Sequence, residues 1–165
     1  MKVLPIIRVV ALVCGGLVAG VALGDREGAS YARAGMDVHC LVQYQQFQHM
    51  HFVTFMPLLT MVSILAPLIW IMLIRSQWRT LRFWLLVTSV LGFTLCMTVS
   101  AVVNFPINHL LMTWSAAAPP ADVRQLWAPW EGANSVRAVA TCLGFLLQAV
   151  VIGTNASGAG ISRSI

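Results

Sequence analysis

The chain is poor in charge. Only 9% of its 165 residues are charged, against 59% that are apolar, whereas a water-soluble domain carries about 25% charged residues. So little polar surface excludes an ordinary soluble fold. Cysteine is scarce as well. Cys14, Cys96 and Cys142 fall in apolar runs, where a thiol acts as a small hydrophobe, and Cys40 alone stands in polar sequence. No disulfide framework and no zinc or redox pair is visible. Internal repeats and linkers are missing too, which leaves a single membrane domain over residues 1–165.

What is present is apolar sequence in long blocks. A helix needs roughly 20 mainly apolar residues to cross about 30 Å of hydrocarbon. Four segments qualify, at about 3–24, 52–74, 83–103 and 135–156. They do not alternate as barrel strands would, and lipid tolerates only helices or closed barrels. The expected fold class is therefore all-α, an integral membrane four-helix bundle with a short polar cap on the non-cytoplasmic side. A surface helix is expected at about 37–50, capped by Asp37 and open to continuing into the second span. An outer loop is expected at 104–134, holding a short helix at 123–127, with Pro129 breaking or beginning the helix near Trp130. Gly16, Gly20 and Gly24 form a small-residue stripe suited to close helix packing. A competing reading takes Lys2, the first apolar run and Ala22-Leu23-Gly24 as a secretory signal, whose cleavage would leave three crossings.

The net charge is +5, but its distribution argues against a nucleic-acid partner. Lys2, Arg8, Arg75, Arg79, Arg82 and Arg163 fall on one side of four crossings, with no acidic residue among them. Asp25, Glu27, Asp37, Asp122 and Glu131 fall on the other, with Arg26, Arg33, Arg124 and Arg137. The positive-inside rule then places both termini in the cytoplasm, and the partner is the lipid bilayer.

Two constellations carry chemistry. In Asn104-Phe105-Pro106-Ile107-Asn108-His109, the two asparagines are four apart and share a helical face, while Pro106 loosens the backbone. They can bind a polar substrate group, or simply satisfy freed carbonyls. Trp127, Trp130, Asn134, Arg137, Thr141 and Gln148 write one polar and aromatic stripe along the last helix, which lipid would turn inward. Arg137 is costly at bilayer depth unless paired, with Glu131, Asp122 and Asp37 as candidate partners, or unless it snorkels as an anchor. All four histidines, His39, His49, His51 and His109, map to the outer side. His49 and His51 are two apart and point to opposite faces, so a metal would need His109 folded against His39 or His49. No metal ligand is assigned.

The run Asn104-x-Pro106-x-Asn108, a spacer with Pro and Asp, then Trp127-x-x-Trp130-x-x-x-Asn134-x-x-Arg137 resembles the anthrone oxygenase-like family of small four-helix membrane proteins. The shared motif covers 104–147, and the first half matches in hydropathy and length. The Gln/His-rich segment 43–51 has no counterpart in the shared motif. The resemblance implies oxidation of anthrones to anthraquinones during aromatic polyketide synthesis, with oxygen and without a prosthetic group. It carries over to Asn104, Pro106, Asn108, Trp130 and Arg137.

On these grounds the expected function is a membrane oxygenase acting on a hydrophobic aromatic substrate drawn from lipid. His109, His49 or His51 would act as the base. Arg137 with Asn104 and Asn108 would hold the enolate oxygen, and Trp130 and Asn134 would bind the ring system. The alternatives are an accessory subunit or small carrier whose stripe only holds helices together, and a metal-binding redox subunit. A homo-oligomer or a membrane partner subunit stays open. The orientation has its own test. In a background without native cysteines, a cysteine at Ser76 should resist an impermeant thiol reagent in intact cells and one at Ser115 should react. The opposite pattern would invert the topology.

Overall fold

The computed structural model of the chain describes residues 3–161, the side chains of 155–161 excepted. Lys2 and Arg163, two of the six basic residues that set the expected orientation, lie outside them. Among the described residues every extended element is helical, and the sole β feature is an isolated bridge between Ser115 and Ala118. Helix α1 spans Val3–Gly24 and passes through a π-helical turn, Asp25–Ala29, into α2, Ser30–Gly35. Helix α3 is Val38–Phe52 and α4 is Phe55–Leu73. Helix α5, Leu81–Val99, runs through a second π turn, Ser100–Asn104, into α6, Phe105–Leu111. Helix α7 is Val123–Ile161.

Four stretches are long and apolar enough to cross a membrane: Val3–Gly35, Phe55–Leu73, Leu81–Leu111 and Val123–Thr154. Their outward faces carry exposed Leu17, Leu58, Leu91 and Leu143. Exposed apolar side chains of this kind on every span need lipid around them. The chain is an all-α integral membrane protein. Helix α4 packs on α1 and α5, and α7 packs on the same two, closing a ring. At one end Ala11, Ala66, Trp70, Leu86 and Val151 form the core. At the other, α3 and α6 lie over Trp127 and Trp130 with Leu41, Val42 and Leu111.

The structure departs from the expected elements in three places. The surface helix is capped by Asp37, whose side chain accepts from the Cys40 amide at 2.9 Å. It runs on to Phe52 and stops at Val53-Thr54, so it does not continue into α4. The stretch 104–134 is mostly helical, because α6 follows the π turn directly and α7 already starts at Val123. Pro129 neither breaks nor begins a helix. The bond it forgoes is to the carbonyl of Gln125, an exposed residue in the first turn of α7 that water can serve.

Close packing is also placed differently from the expected glycine stripe. A Cβ on Gly20 or Gly24 would meet nothing within 4 Å, while one on Gly16 would stand 3.0 Å from Phe145. The tightest approach is between α5 and α7, where a Cβ on Gly92 would lie 2.7 Å from the Ala140 carbonyl oxygen. Beside it, Ser89 donates to the Gly144 carbonyl at 2.8 Å and accepts from Gln148 at 2.9 Å. A backbone oxygen cannot swing aside as a side chain can. Gly92→Ala should therefore cost about 1–3 kcal/mol despite the helix propensity gained. Gly20→Ala should be neutral or stabilising. Melting of the two variants in detergent checks the contrast, and equal behaviour would refute this packing.

Candidate functional site

At the capped end a cleft opens between α1, α3, the α5–α6 junction and α7. About 700 Å³ in and around it is not filled by protein, the open mouth included. Val21, Phe52, Val53 and Met56 give it an apolar side. Asp25, Gln45, Gln48, His49, Asn104, Asn108, Trp130, Asn134 and Arg137 give it a polar one.

Both π turns serve this cleft. A π turn widens the helix by one residue and rotates the residues beyond it. The first starts at Asp25, which lines the cleft, and turns the following α2 so that Arg33 meets that carboxylate, and the second delivers Asn104. The second has a visible cause in sequence, since Pro106 cannot donate a backbone hydrogen bond into the preceding turn. Asn104 is buried and donates through Nδ2 to the Trp130 carbonyl at 3.3 Å. Asn108, on the same face, accepts from Trp130 Nε1 at 2.9 Å. The two asparagines thus hold the Trp130 ring from both ends of its residue. Trp130 in turn stacks on Trp127, with ring centroids 4.5 Å apart and planes 21° apart.

Behind this wall lies a network centred on Arg33, which is 2% exposed. Its NH1 and NH2 donate to the two oxygens of Asp25 at 2.9 and 2.8 Å, and its Nε donates to Glu131 at 2.6 Å. Asp25 also accepts from Gln48 at 2.9 Å and from Asn134 at 2.7 Å. Glu131 accepts from Ser30 at 2.6 Å and from Trp127 Nε1 at 3.0 Å. The guanidinium also lies over the Trp130 ring, 5.1 Å from its centroid. Both carboxylates are saturated by these donors.

Arg137 is therefore left without any of the partners expected for it. Glu131 belongs to Arg33, Asp37 caps α3, and Asp122 sits exposed just before α7. Among the described residues Arg137 forms no ion pair, and its buried Nε has no hydrogen-bond partner. The Asn104 Oδ1, Gln45 Nε2 and Gln48 Oε1 atoms are buried without partners in the same cleft. Buried polar atoms are normally satisfied, so four orphans around one cavity mark where a ligand or water belongs.

The histidines separate. His49 is half-buried and lines the cleft. Burial, and then the nearby charge of His109, hold its pKa below the ordinary histidine value. His109 is exposed outside the lining, and His51, two residues beyond His49, faces away and is exposed. His39 is tied through Nδ1 to the Ala116 carbonyl at 2.9 Å. Among the described residues no three His, Cys, Asp or Glu side chains are grouped to hold a metal. Asp25, Arg33, Gln45 and Gln48 were not among the residues expected to form the site. Gln45, Gln48, His49 and Phe52 do recur at helical spacing, and that stripe is a signal in the sequence.

Arg33 bridges two carboxylates, so its removal strands both. Arg33→Met should destabilise the protein by about 3–5 kcal/mol. Asp25→Asn with Glu131→Gln in the same chain should recover most of the loss, because neither amide then needs a cation. Failure of that recovery in a detergent melt would show that Arg33 acts through packing alone.

A model described as anthrone oxygenase matches residues 45–147. The match begins well before the motif at Asn104, so it takes in His49 and the second span and corrects the placing of residues 45–51 outside the family pattern. No curated protein and no solved structure matches the chain. With 103 of the 165 residues inside the match and the paired asparagines, Trp130 and Arg137 gathered in one cleft, the chain belongs to the anthrone oxygenase family.

Proposed function

We propose that the protein is a membrane oxygenase that converts an anthrone-like, hydrophobic aromatic substrate to the corresponding quinone. The observation that carries this reading is the orphaned guanidinium Nε of Arg137, facing the same cleft as Asn104 and a histidine held toward its neutral form. A neutral base and an unspent donor are what the chemistry asks for. The ring methylene of an anthrone, across the central ring from its carbonyl, is acidic because its anion is an aromatic enolate. His49 takes that proton, and the enolate oxygen accepts from Arg137 and the neighbouring amides. The carbanion carbon then adds molecular oxygen. The resulting peroxide loses its second ring hydrogen and cleaves its O–O bond, leaving a new carbonyl on carbon and one water. Two hydrogens leave the ring, one oxygen atom enters it, and oxygen takes all four electrons. The electrons come from the substrate enolate, so the sequence of steps needs no prosthetic group.

Of the three expected base candidates, only His49 lines the cleft, which makes it the choice over His109 and His51. Trp130, held edge and carbonyl by Asn108 and Asn104, is a fixed part of the cleft wall against which the substrate lies, and Asn134 completes the polar side. On this reading the termini are cytoplasmic and the cap faces outward, as the basic bias requires.

The test is turnover of an anthrone by the purified protein in lipid nanodiscs, with quinone formation and oxygen uptake measured together. Arg137→Lys should keep its melting temperature and lose about 100-fold in kcat, because an ammonium does not reproduce a fork of planar donors. A fully active lysine variant would reduce Arg137 to an interfacial anchor. The wild-type rate should rise with pH through a midpoint below the ordinary histidine range of about 6.5 and then stay level, since the base works only when neutral. His49→Asn should remove that limb. A protein that binds the anthrone without consuming oxygen is a carrier.

A further inference from the structure

A second groove lies behind the cleft wall, between the π turn with α2 and the first three turns of α7. It is open to the surroundings, and Arg26, Ser30, Arg124, Trp127, Glu131 and Ser135 are among the residues that line it. Four basic residues were assigned to the cap side, against the usual bias of that side. Arg33 is spent on Asp25 and Glu131, and Arg137 belongs to the cleft. The remaining two, Arg26 and Arg124, are 98 positions apart in sequence and yet line this one groove. Arg26 makes a loose contact of 3.8 Å with Glu27, and both side chains are largely open. Arg124 donates to the Met36 carbonyl. Glu131 shares the Arg33 guanidinium with Asp25 and accepts from Ser30 and Trp127 as well. The groove therefore carries two guanidinium groups, one in a loose ion pair and one donating to a backbone carbonyl, each with further N–H donors to offer an anion.

Its depth identifies the anion. Helix α1 has 22 residues, about 33 Å at 1.5 Å each, which spans the roughly 30 Å hydrocarbon layer alone. The π turn and α2 therefore begin where the layer ends. In α7 the stretch from Ser135 to Thr154 is likewise about 30 Å long, so the turn at Glu131–Ser135 stands at headgroup level and Arg124, about 16 Å beyond Ser135 along the axis, reaches toward it from the outer side. Directly below, α7 presents exposed Val136, Val139, Leu143 and Leu146 to lipid. A molecule with its anion between Arg26 and Arg124 would lay its tails along that face.

We infer that this groove binds the phosphate of an anionic phospholipid from the leaflet on the cap side. The two guanidinium groups donate to the phosphate oxygens, as arginine does where planar, paired donors meet phosphate. The site is separate from the cleft and does not depend on the oxygenase reading.

The experiment uses the full chain in nanodiscs of phosphatidylglycerol and phosphatidylcholine, with retained lipid counted by native mass spectrometry. Wild type should retain phosphatidylglycerol about ten-fold more than Arg26→Gln/Arg124→Gln, a loss in keeping with two solvent-screened ionic contacts. Arg79→Gln, an exposed change at the other end of the protein, should retain it as wild type does. Equal retention by the double variant would overturn the site. Should the double variant melt early, Arg26→Gln alone is the reference, since it breaks only an exposed contact, and it must lower retention too. A parallel melt in non-ionic detergent with inorganic phosphate separates the sources. Phosphate that stabilises wild type but not the double variant, with no lipid retained, would make this a soluble-anion site and refute the lipid assignment.

Discussion

The capped half of this protein depends on one guanidinium buried between two carboxylates. Arg33 holds the end of the first span to the last helix through Asp25 and Glu131, across about 100 residues of sequence. Burying a cation costs several kcal/mol unless every donor is met, and here every nitrogen is met. The satisfied ions then act on their neighbours. Asp25 fixes the amides of Gln48 and Asn134, and Glu131 fixes the indole of Trp127. The polar side of the cleft is thus oriented by residues that stand behind it. Charge accounts for the rest. Two carboxylates against Arg33 leave one negative charge, which Arg137, lining the same cleft as Asp25, balances through space while its Nε stays unspent.

That arrangement requires helices which are not regular. A regular α1 continuing into α2 would turn Arg33 about 100° per inserted residue away from its present direction, and a straight α5 would do the same to Asn104. The π turns supply the rotation. At Ser100–Asn104 the turn stands where Pro106 already forbids a regular ladder, so the irregularity is built on a bond that could not form anyway. At Asp25–Ala29 no proline is involved. There the gain is the Arg33 contact, which brings the guanidinium from beyond the turn back onto both oxygens of Asp25.

The span count and all-helical class were legible because lipid leaves few choices: long apolar runs must be helices, and each must be long enough. The polar stripe of α7 was legible for the same reason, and Trp130, Asn134, Thr141 and Gln148 are all buried. The length of the outer helices was not. Pro129 reads locally as a break, and nothing local reveals that an exposed carbonyl at Gln125 makes it cheap. Arg33 was invisible for a different reason. Its partners are 8 and 98 residues away, and an arginine in a polar loop resembles any solvated arginine until the fold closes over it. The pairing expected for Arg137 failed with it, since Glu131 was assigned to the wrong cation. Gly20 and Gly24 show the reverse error, a genuine spacing on a face with no neighbour.

Electroneutrality also constrains what the cleft can accept. With Asp25, Glu131, Arg33 and Arg137 balanced, an anionic ligand entering from lipid would bring an uncompensated charge into a poorly solvated site, whereas a neutral ketone adds none. In the proposed oxidation the enolate appears only as His49 becomes a cation, so the charge pair is created in place and the total does not change. The low pKa of His49 sets the cost of that step. It keeps the base neutral and ready before substrate arrives, at the expense of driving force for taking the proton. The orphan donor of Arg137 offsets that expense from the other side, because it strengthens only when the oxygen it faces turns negative. Base and donor are thus complementary: each is poorly satisfied in the resting site, and each is satisfied by the same proton transfer.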